Sequence, residues 1–591
     1  MKIQNWTSKK GIYILTLITM LILMGIFLNS FYWPHQEITK RKILVGAIVL
    51  FCVTVVPILT VKLSVLFNFV VKIIESFRNV AKRVKDNKKK VLCFVIAFIG
   101  SVILSGIAVY VMCGFFLKTQ FNIRLFYTFV ATMFLIVSVI LLWNDAGRKV
   151  ERVFVMVALI MGVFSICVTP NRVGIAPDDE IHLARTLEIS DFLNGITHGA
   201  DAKNIRDYAN NIYSHAGFDR STDISYKAEL NSVYKAREWQ GYGTSGWQIY
   251  TIAYIPAALG IILGRGLGMP YVSVFNMGRL FNLLTYILLI SLAIRRVKHG
   301  KVLVAAVGLI PTTIFLATSY SCDPWITGFT ILGLAYFFAE LQDDELLQTK
   351  NIIIMTGALA VGSLPKAVYF AILFPLLFMP KRKFKNSRQR MFYYLVVIGA
   401  AILLMASFLM PMLISGPGVG DVRGGADVNS TEQVKFILEN PITYAKILLN
   451  FLVGYYLELG NLSVTMQTFA YVGDGFFGGV VISILIVIAF LDRGINEKNQ
   501  IWAKGATLLG SGAAIVLATT ALYVGFTAVA SGTVAGMQGR YLIPVIYPIL
   551  YAVGIGGTTH RINRNIFVCI PILLIALTFI FNMGWLCAFY Y

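Results

Sequence analysis

The sequence predicts an all-α integral membrane protein, a polytopic bundle of about 13–15 transmembrane helices with a small extracytoplasmic helical segment. Three observations lead there. Of the 591 residues, 57% are hydrophobic and only 14% charged, with a mean hydropathy of +0.74; soluble chains carry about 25% charge. Apolar runs near the ~20 residues needed to cross a bilayer recur along the chain. Lysine and arginine, which bring the formal net charge to +22, fall in short loops between those runs, the positive-inside pattern. That placement argues for the lipid bilayer as partner and against nucleic acid.

The elements follow in order. Residues 11–31 and 43–67 read as a first pair of spans, and the first is an uncleaved helix, since no A-x-A cleavage site follows it. The basic segment from Lys72 to Lys90 is placed in the cytoplasm. A second pair, 91–116 and 125–143, returns to the basic run Arg148-Lys149-Val150-Glu151-Arg152, and a span at 153–170 delivers the chain to the outer face. Residues 171–245 form the longest polar segment, with short amphipathic helices expected at Leu187 to Phe192 and Ile205 to Tyr213.

Beyond it, the basic loops around Arg295-Arg296, Lys381 to Arg390, Asp492 to Lys504 and His560 to Arg564 are placed inside, together with the acidic turn Asp343-Asp344-Glu345. The returning turns at Ser319 to Asp323, Ser363 to Lys366, Gly416 to Ser430 and Ser531 to Tyr541 then share the side of Asp178. Residues 246–294 hold two apolar runs where an odd number of crossings is required, so either 246–263 lies along or dips into the membrane, or Arg295 is misplaced. Asn351 to Met379, with Pro365-Lys366 in the middle, reads as a broken helix, a backbone tolerated only against a polar cavity. From Ser430, with Gln433 at capping-box spacing, a short amphipathic helix runs to Leu438. The seven cysteines show no CxxC or Cys/His spacing and read as apolar packing residues.

Chemistry concentrates in Pro177-Asp178-Asp179-Glu180-Ile181-His182-Leu183-Ala184-Arg185, just past the span at 153–170. Polar side chains there stand outside hydrocarbon and are free to meet a substrate. Asp178 and Asp179 are the candidate catalytic residues: a carboxylate accepts the proton of an attacking hydroxyl, or a pair holds a divalent metal ion against a phosphate. The bland alternative is a helix start, where proline and acids are favoured anyway. His182 and Arg185 share a face with Asp178 through i,i+4 and i,i+3 spacing, and Glu180 points elsewhere. Arg279, Asp323, Lys366 and Arg540 with its neighbour Tyr541 are ionisable groups in or against apolar segments, and with His182 and Arg185 they form the candidate substrate-binding set. Arginine suits bidentate phosphate contact and lysine a point-charge contact; snorkelling to the headgroups is the alternative.

These motifs resemble a known family. Ala176-Pro177-Asp178-Asp179-Glu180-Ile181-His182 is similar to the P-D-E-x-x-H signature of the predicted bacterial membrane-protein family with domain of unknown function 2142, with Asp179 where that family usually has Glu. Tyr254-Ile255-Pro256, Arg279, Ser321-Cys322-Asp323, Leu364-Pro365-Lys366, Asn440-Pro441 and Gly539-Arg540-Tyr541-Leu542-Ile543-Pro544 continue the resemblance in the same order over roughly residues 150–590. Residues 1–145 then look like added transmembrane helices ahead of a main domain at 146–591, which includes the outer loop 171–245.

The family in turn looks like the GT-C superfamily, and that resemblance implies a GT-C-like fold and glycosyltransferase activity. The donor would be a polyprenyl-phosphate-linked sugar, the acceptor a cell-envelope polysaccharide or teichoic-acid-type polymer. The site would face outward from a bacterial plasma membrane, and inversion is expected because no dedicated nucleophile is visible. A transporter or flippase for a lipid-linked glycan is the alternative; it would spread charge through the midplane and show related halves, and the sequence shows no repeat. A non-catalytic assembly or sensor protein is the third class.

Overall fold

The computed structural model describes residues 88–171, 174–193, 249–414, 424–425, 427–492, 501–554 and 563–589. The spans expected at 11–31 and 43–67, and the helix expected at Ile205 to Tyr213, lie outside these residues. The chain divides into two compact units, 1–95 and 96–591. Among the described residues every regular element is helical, and the β features amount to one isolated bridge between Thr468 and Asp474.

The helices are α1 (Lys88–Val111), α2 (Ile123–Ala146), α3 (Val150–Val168), α4 (Asp179–Leu193), α5 (Ile255–Gly266), α6 (Tyr271–Arg296), α7 (Lys301–Gly308), α8 (Pro311–Ala317), α9 (Asp323–Leu341) and α10 (Thr349–Ser363). A 3-10 segment, Leu364–Phe378, continues α10. There follow α11 (Ser387–Ile414), α12 (Ser430–Glu439), α13 (Pro441–Tyr456), α14 (Leu459–Met466), α15 (Gly478–Leu491), α16 (Ile501–Gly525), α17 (Ile543–Val553) and α18 (Arg564–Phe589). Among the described residues nine helices are long and apolar enough to cross a bilayer, ten if α12 and α13, bent by 107°, count as one broken span. The protein is a polytopic helical membrane protein.

Burial within the bundle is uneven, as expected when lipid covers apolar surface as readily as protein does. α9 is the central helix, with 83% of its most apolar stretch buried, whereas those of α1 and α11 are 11% and 17% buried and expose rows of Leu, Ile and Phe. α6 packs on α9, α5 and α3, and α2 packs on α3 and α18. Small residues allow the close crossings: a Cβ at Gly260 would stand 2.3 Å from the Met277 carbonyl oxygen, and one at Gly278 would stand 2.5 Å from the Tyr320 hydroxyl.

The parity problem at 246–294 resolves as one span plus a short helix. α6 has 26 residues, whereas α5 has 12 and folds back against α6 as a hairpin. At ~1.5 Å per residue α5 extends only about 18 Å, short of a ~30 Å hydrocarbon layer. The expected break in Asn351 to Met379 falls at Lys366, whose φ of −139° and ψ of 81° interrupt the helical path. The start of α12 differs from the capping-box expectation. Its N-cap is Asn429, whose side chain accepts from the Thr431 and Glu432 amides, and Gln433 turns inward to accept from the Ala530 amide at 2.8 Å. The register is one residue earlier than the Ser430 spacing implied, which puts Gln433 one place past the box.

The loops read as inside do meet. Arg564 donates to the Gly147 carbonyl, and Asp492 caps α7 by accepting from the Val302 and Leu303 amides. Lys298 and Lys383 both pair with Asp343 at 2.8 Å, and Arg296 pairs with Glu340. Asp323 and Glu340 lie 17 residues apart on α9, which is about 25 Å of helix. Of the turns expected on the Asp178 side, those ending in Asp323, Lys366 and Tyr541 therefore gather at the other end of the bundle, and that at Gly416 to Ser430 lies mostly outside the described residues.

Candidate functional site

The site is built where four chain segments converge at the start of α9. Asp178 comes from the turn Pro177-Asp178 ahead of α4, and its backbone is left-handed with φ +56°. Few residues other than glycine adopt that region, although Asp tolerates it better than most. The turn is held because the Asp178 carbonyl accepts from the Ile181 and His182 amides, both at 3.0 Å. Asp323 is the first residue of α9, behind a loop pinned by Asn282, which donates to the Ser319 and Ser321 carbonyls. Lys366 sits at the helix break. Arg540 follows Gly539, where a Cβ would come within 2.2 Å of the Thr465 hydroxyl, so only glycine lets the 539–542 turn approach α14.

These four side chains form one chain of ion pairs. Arg540 donates from Nη2 to Asp178 at 2.7 Å and from Nη1 to Asp323 at 3.2 Å, and Lys366 Nζ donates to the other Asp323 oxygen at 2.5 Å. Arg540 and Asp323 are buried, whereas the Lys366 and Asp178 side chains are 25% and 34% exposed. The two ends of the chain, one cation and one carboxylate, are thus the ones a solute can reach. Tyr541 completes the floor, its ring centroid 4.4 Å from Lys366 Nζ and 5.3 Å from the Arg540 guanidinium carbon. Its carbonyl accepts from the Tyr369 hydroxyl at 2.7 Å.

His182 stands among these charges. Its Nδ1 lies 2.8 Å from the Tyr254 hydroxyl. Burial, reinforced by Arg540 and Lys366 against the pull of the two aspartates, lowers its pKa to about 4. The ring is therefore neutral near pH 7, and the cluster's two cations balance its two anions.

The neighbouring aspartates separate sharply. Asp179 is buried, 3% exposed, and points away from the ion-pair chain towards Arg279. Its Oδ1 has no hydrogen-bond partner, and the void between it and Arg279 is about 10 Å³, about the size of one water molecule. Burial raises its pKa to about 7, against the opposing pull of Arg279. Arg279 is itself held by donation to the Thr318 carbonyl at 2.5 Å, the Thr169 hydroxyl at 2.6 Å and the Asn276 side chain at 3.2 Å. Arg185, partly exposed, donates to the buried Glu188 at 2.9 Å, one turn further along α4. Of the sequence-selected residues, Asp178, His182, Asp323, Lys366, Arg540 and Tyr541 come together. Asp179 and Arg279 lie behind them as a separate buried pair.

Asp178 and Asp323 converge on the Arg540 guanidinium, which fills the place a shared cation would take. The adjacent pair Asp178 and Asp179, the expected holders of a divalent ion, do not face a shared position, because Asp178 pairs with Arg540 and Asp179 is buried towards Arg279, and among the described residues no group of three or more His, Cys, Asp or Glu side chains gathers. Two tyrosines carried no role in the sequence reading. Tyr254 appeared there only as a motif residue. Tyr369 follows the break at Lys366, whose φ and ψ leave the helical region, so no helical spacing counted from Lys366 places it beside the site.

Beside Lys366 and Tyr541 opens a cavity of about 350 Å³, apolar apart from that end, between the 3-10 segment, α11 and α16. An ion-pair chain with two reachable ends, set at the head of an apolar cavity, defines a polytopic membrane protein with a polar site at one end of its bundle. Residues 159–549 match the family model described as predicted membrane protein (DUF2142), and the chain belongs to that family. No curated protein and no solved structure matches it.

Proposed function

We propose that this protein is a polyprenyl-phosphate-dependent membrane glycosyltransferase of GT-C type, transferring a sugar to a cell-envelope polysaccharide or teichoic-acid-type acceptor on the outer face of a bacterial plasma membrane. One observation carries the reading: a reachable carboxylate, Asp178, and a reachable cation, Lys366, are joined through buried Arg540 at the mouth of an apolar cavity. In this reading the acceptor hydroxyl oxygen attacks the anomeric carbon and Asp178 takes its proton. The bond from that carbon to the phosphate oxygen breaks, its electron pair goes to the lipid phosphate, and Lys366 and Arg540 offset the growing charge. A single displacement inverts the anomeric centre. His182, neutral and oriented by Tyr254, hydrogen-bonds the donor, and Arg279 supports the loops that carry Asp178 and Asp323.

The experiment is transfer by the purified full chain in nanodiscs, given labelled polyprenyl-phosphate sugars and an envelope-polymer acceptor. Wild type is expected to transfer label. Labelled lipid crossing a vesicle bilayer, with no transfer from any donor, would overturn the enzyme in favour of a transporter.

A further inference from the structure

The cavity at Lys366 does not end where its lining first closes. A second cavity of about 590 Å³ is lined by the same three elements. The upper one is lined by Leu364 to Tyr369, Ser407 and Phe408 of α11, and Ala518 to Leu522 of α16. The lower one takes up the next residues of each: Phe370 to Leu377, Val397 to Met405 and Leu509 to Leu517. From Leu522 to Leu509 is 13 residues of α16, about 20 Å at helical rise. Alanines at 401, 513 and 521 leave room for the furrow, and the polar groups concentrate at its Lys366 and Tyr541 end.

We infer that the two cavities are one groove that holds a single extended lipid chain with its anionic head at Lys366, so that the protein selects single-chain lipid phosphates by chain length. The occupant follows from shape and charge together. A furrow whose one lining cation, Lys366, stands at its head matches a lipid with a phosphate at the end of its chain, and the end-to-end order of the cavities matches one chain running past both. Carbons beyond the upper cavity reach the lower one only if the chain is long, so affinity rises with length until the groove is filled. The inference rests on the proposed function for the place of the phosphate, but it is tested by binding alone.

The measurement is binding of geranyl phosphate and of a long polyprenyl monophosphate to the full chain in detergent, by native mass spectrometry. Wild type is expected to bind the long lipid at least ~10-fold more tightly, because several more methylene-sized groups are buried. Ala513→Trp, exposed along the lower cavity, should remove that advantage and leave geranyl phosphate binding unchanged. Ala521→Trp, at the upper cavity, should weaken both. Retained geranyl phosphate binding shows that Ala513→Trp is folded; if that binding is lost, Ala401→Phe across the groove takes its place with the same expectation. Unchanged long-chain affinity in the lower-cavity variant, or dioleoyl phosphatidate competing as well as the polyprenyl lipid, would overturn the inference. Lipid binding without sugar transfer sinks the enzyme and leaves the groove; transfer of long-chain donors indifferent to Ala513→Trp sinks the groove and leaves the enzyme.

Discussion

Two charge clusters terminate α9, and they are built from nearly the same parts. At one end Asp178, Asp323, Lys366 and Arg540 form a chain of ion pairs; at the other Glu340 and Asp343 meet Arg296, Lys298 and Lys383. The difference lies in what surrounds them. Lys383 is buried at 1% exposure, and its contacts are to Asp343 and Glu340, so this cluster ties together the ends of α6, α9 and the 381–383 turn. The Asp178 cluster instead sits on a left-handed aspartate and an interrupted helix, and it opens on an apolar cavity. Backbone strain at a cluster with an opening is what a packing role does not require. Charge density alone marks neither cluster as a site; strain, exposure and an adjoining cavity separate a clamp from a site.

Removing the carboxylate end of the strained cluster should have the largest effect. Asp178→Asn keeps the shape and leaves Arg540 paired with Asp323, so the fold should survive with a near-normal melting temperature in detergent. Sugar transfer should fall by about 10²–10⁴, the usual contribution of a positioned base. Asp179→Asn, in a side chain that faces Arg279 across the small void, should retain most of the activity. If the two variants lose transfer equally, the separation of the neighbouring aspartates is wrong.

The opposite cluster should answer in stability. Lys383→Met leaves Glu340 and Asp343 short of a buried cation, and breaking a buried pair from one side costs about 3–5 kcal/mol. A lower melting temperature is expected, with transfer per folded molecule at the wild-type level. Loss of specific activity in correctly folded Lys383→Met would erase the distinction between clamp and site.

Much of this was legible in the sequence, for reasons that are local. Loop charge placed Lys298, Asp343 and Lys383 together, because the positive-inside pattern is a property of single loops. The break at Pro365-Lys366 was legible because proline removes a backbone donor and disfavours helix in the residue before it. Pairing was not. Nothing in Asp178-Asp179 tells which carboxylate meets Arg540, 362 residues away, since that depends on the left-handed turn at Asp178, which the preceding Pro177 does not specify. Helical spacing put Asp178, His182 and Arg185 on one face, but α4 starts at Asp179, so Asp178 is aimed by the turn and Arg185 reaches Glu188. Asn429 outranked Ser430 as a cap for a similar reason: both residues can cap, and tertiary packing of Gln433 against Ala530 settles the register.

The smallest effect isolates Asp179, which belongs to neither cluster. Its pKa is raised to about 7 by burial, so the folded chain favours the neutral acid over most of the range in which the unfolded chain, near 3.8, has already ionised. Stability from this group is therefore full below pH 4 and is lost as pH rises from about 4 to 7. Asp179→Asn cannot ionise and escapes that loss. Its melting temperature should exceed wild type at pH 8 by an amount corresponding to about 2–4 kcal/mol, and the two should converge near pH 4. His182 runs the other way: with its pKa lowered to about 4 it costs stability as pH falls from about 6.5 to 4, equally in both proteins, so the difference between them reports Asp179 alone. A melting difference that is constant from pH 4 to 8 would mean Asp179 stays ionised beside Arg279, and the void between them would then hold a true ion pair.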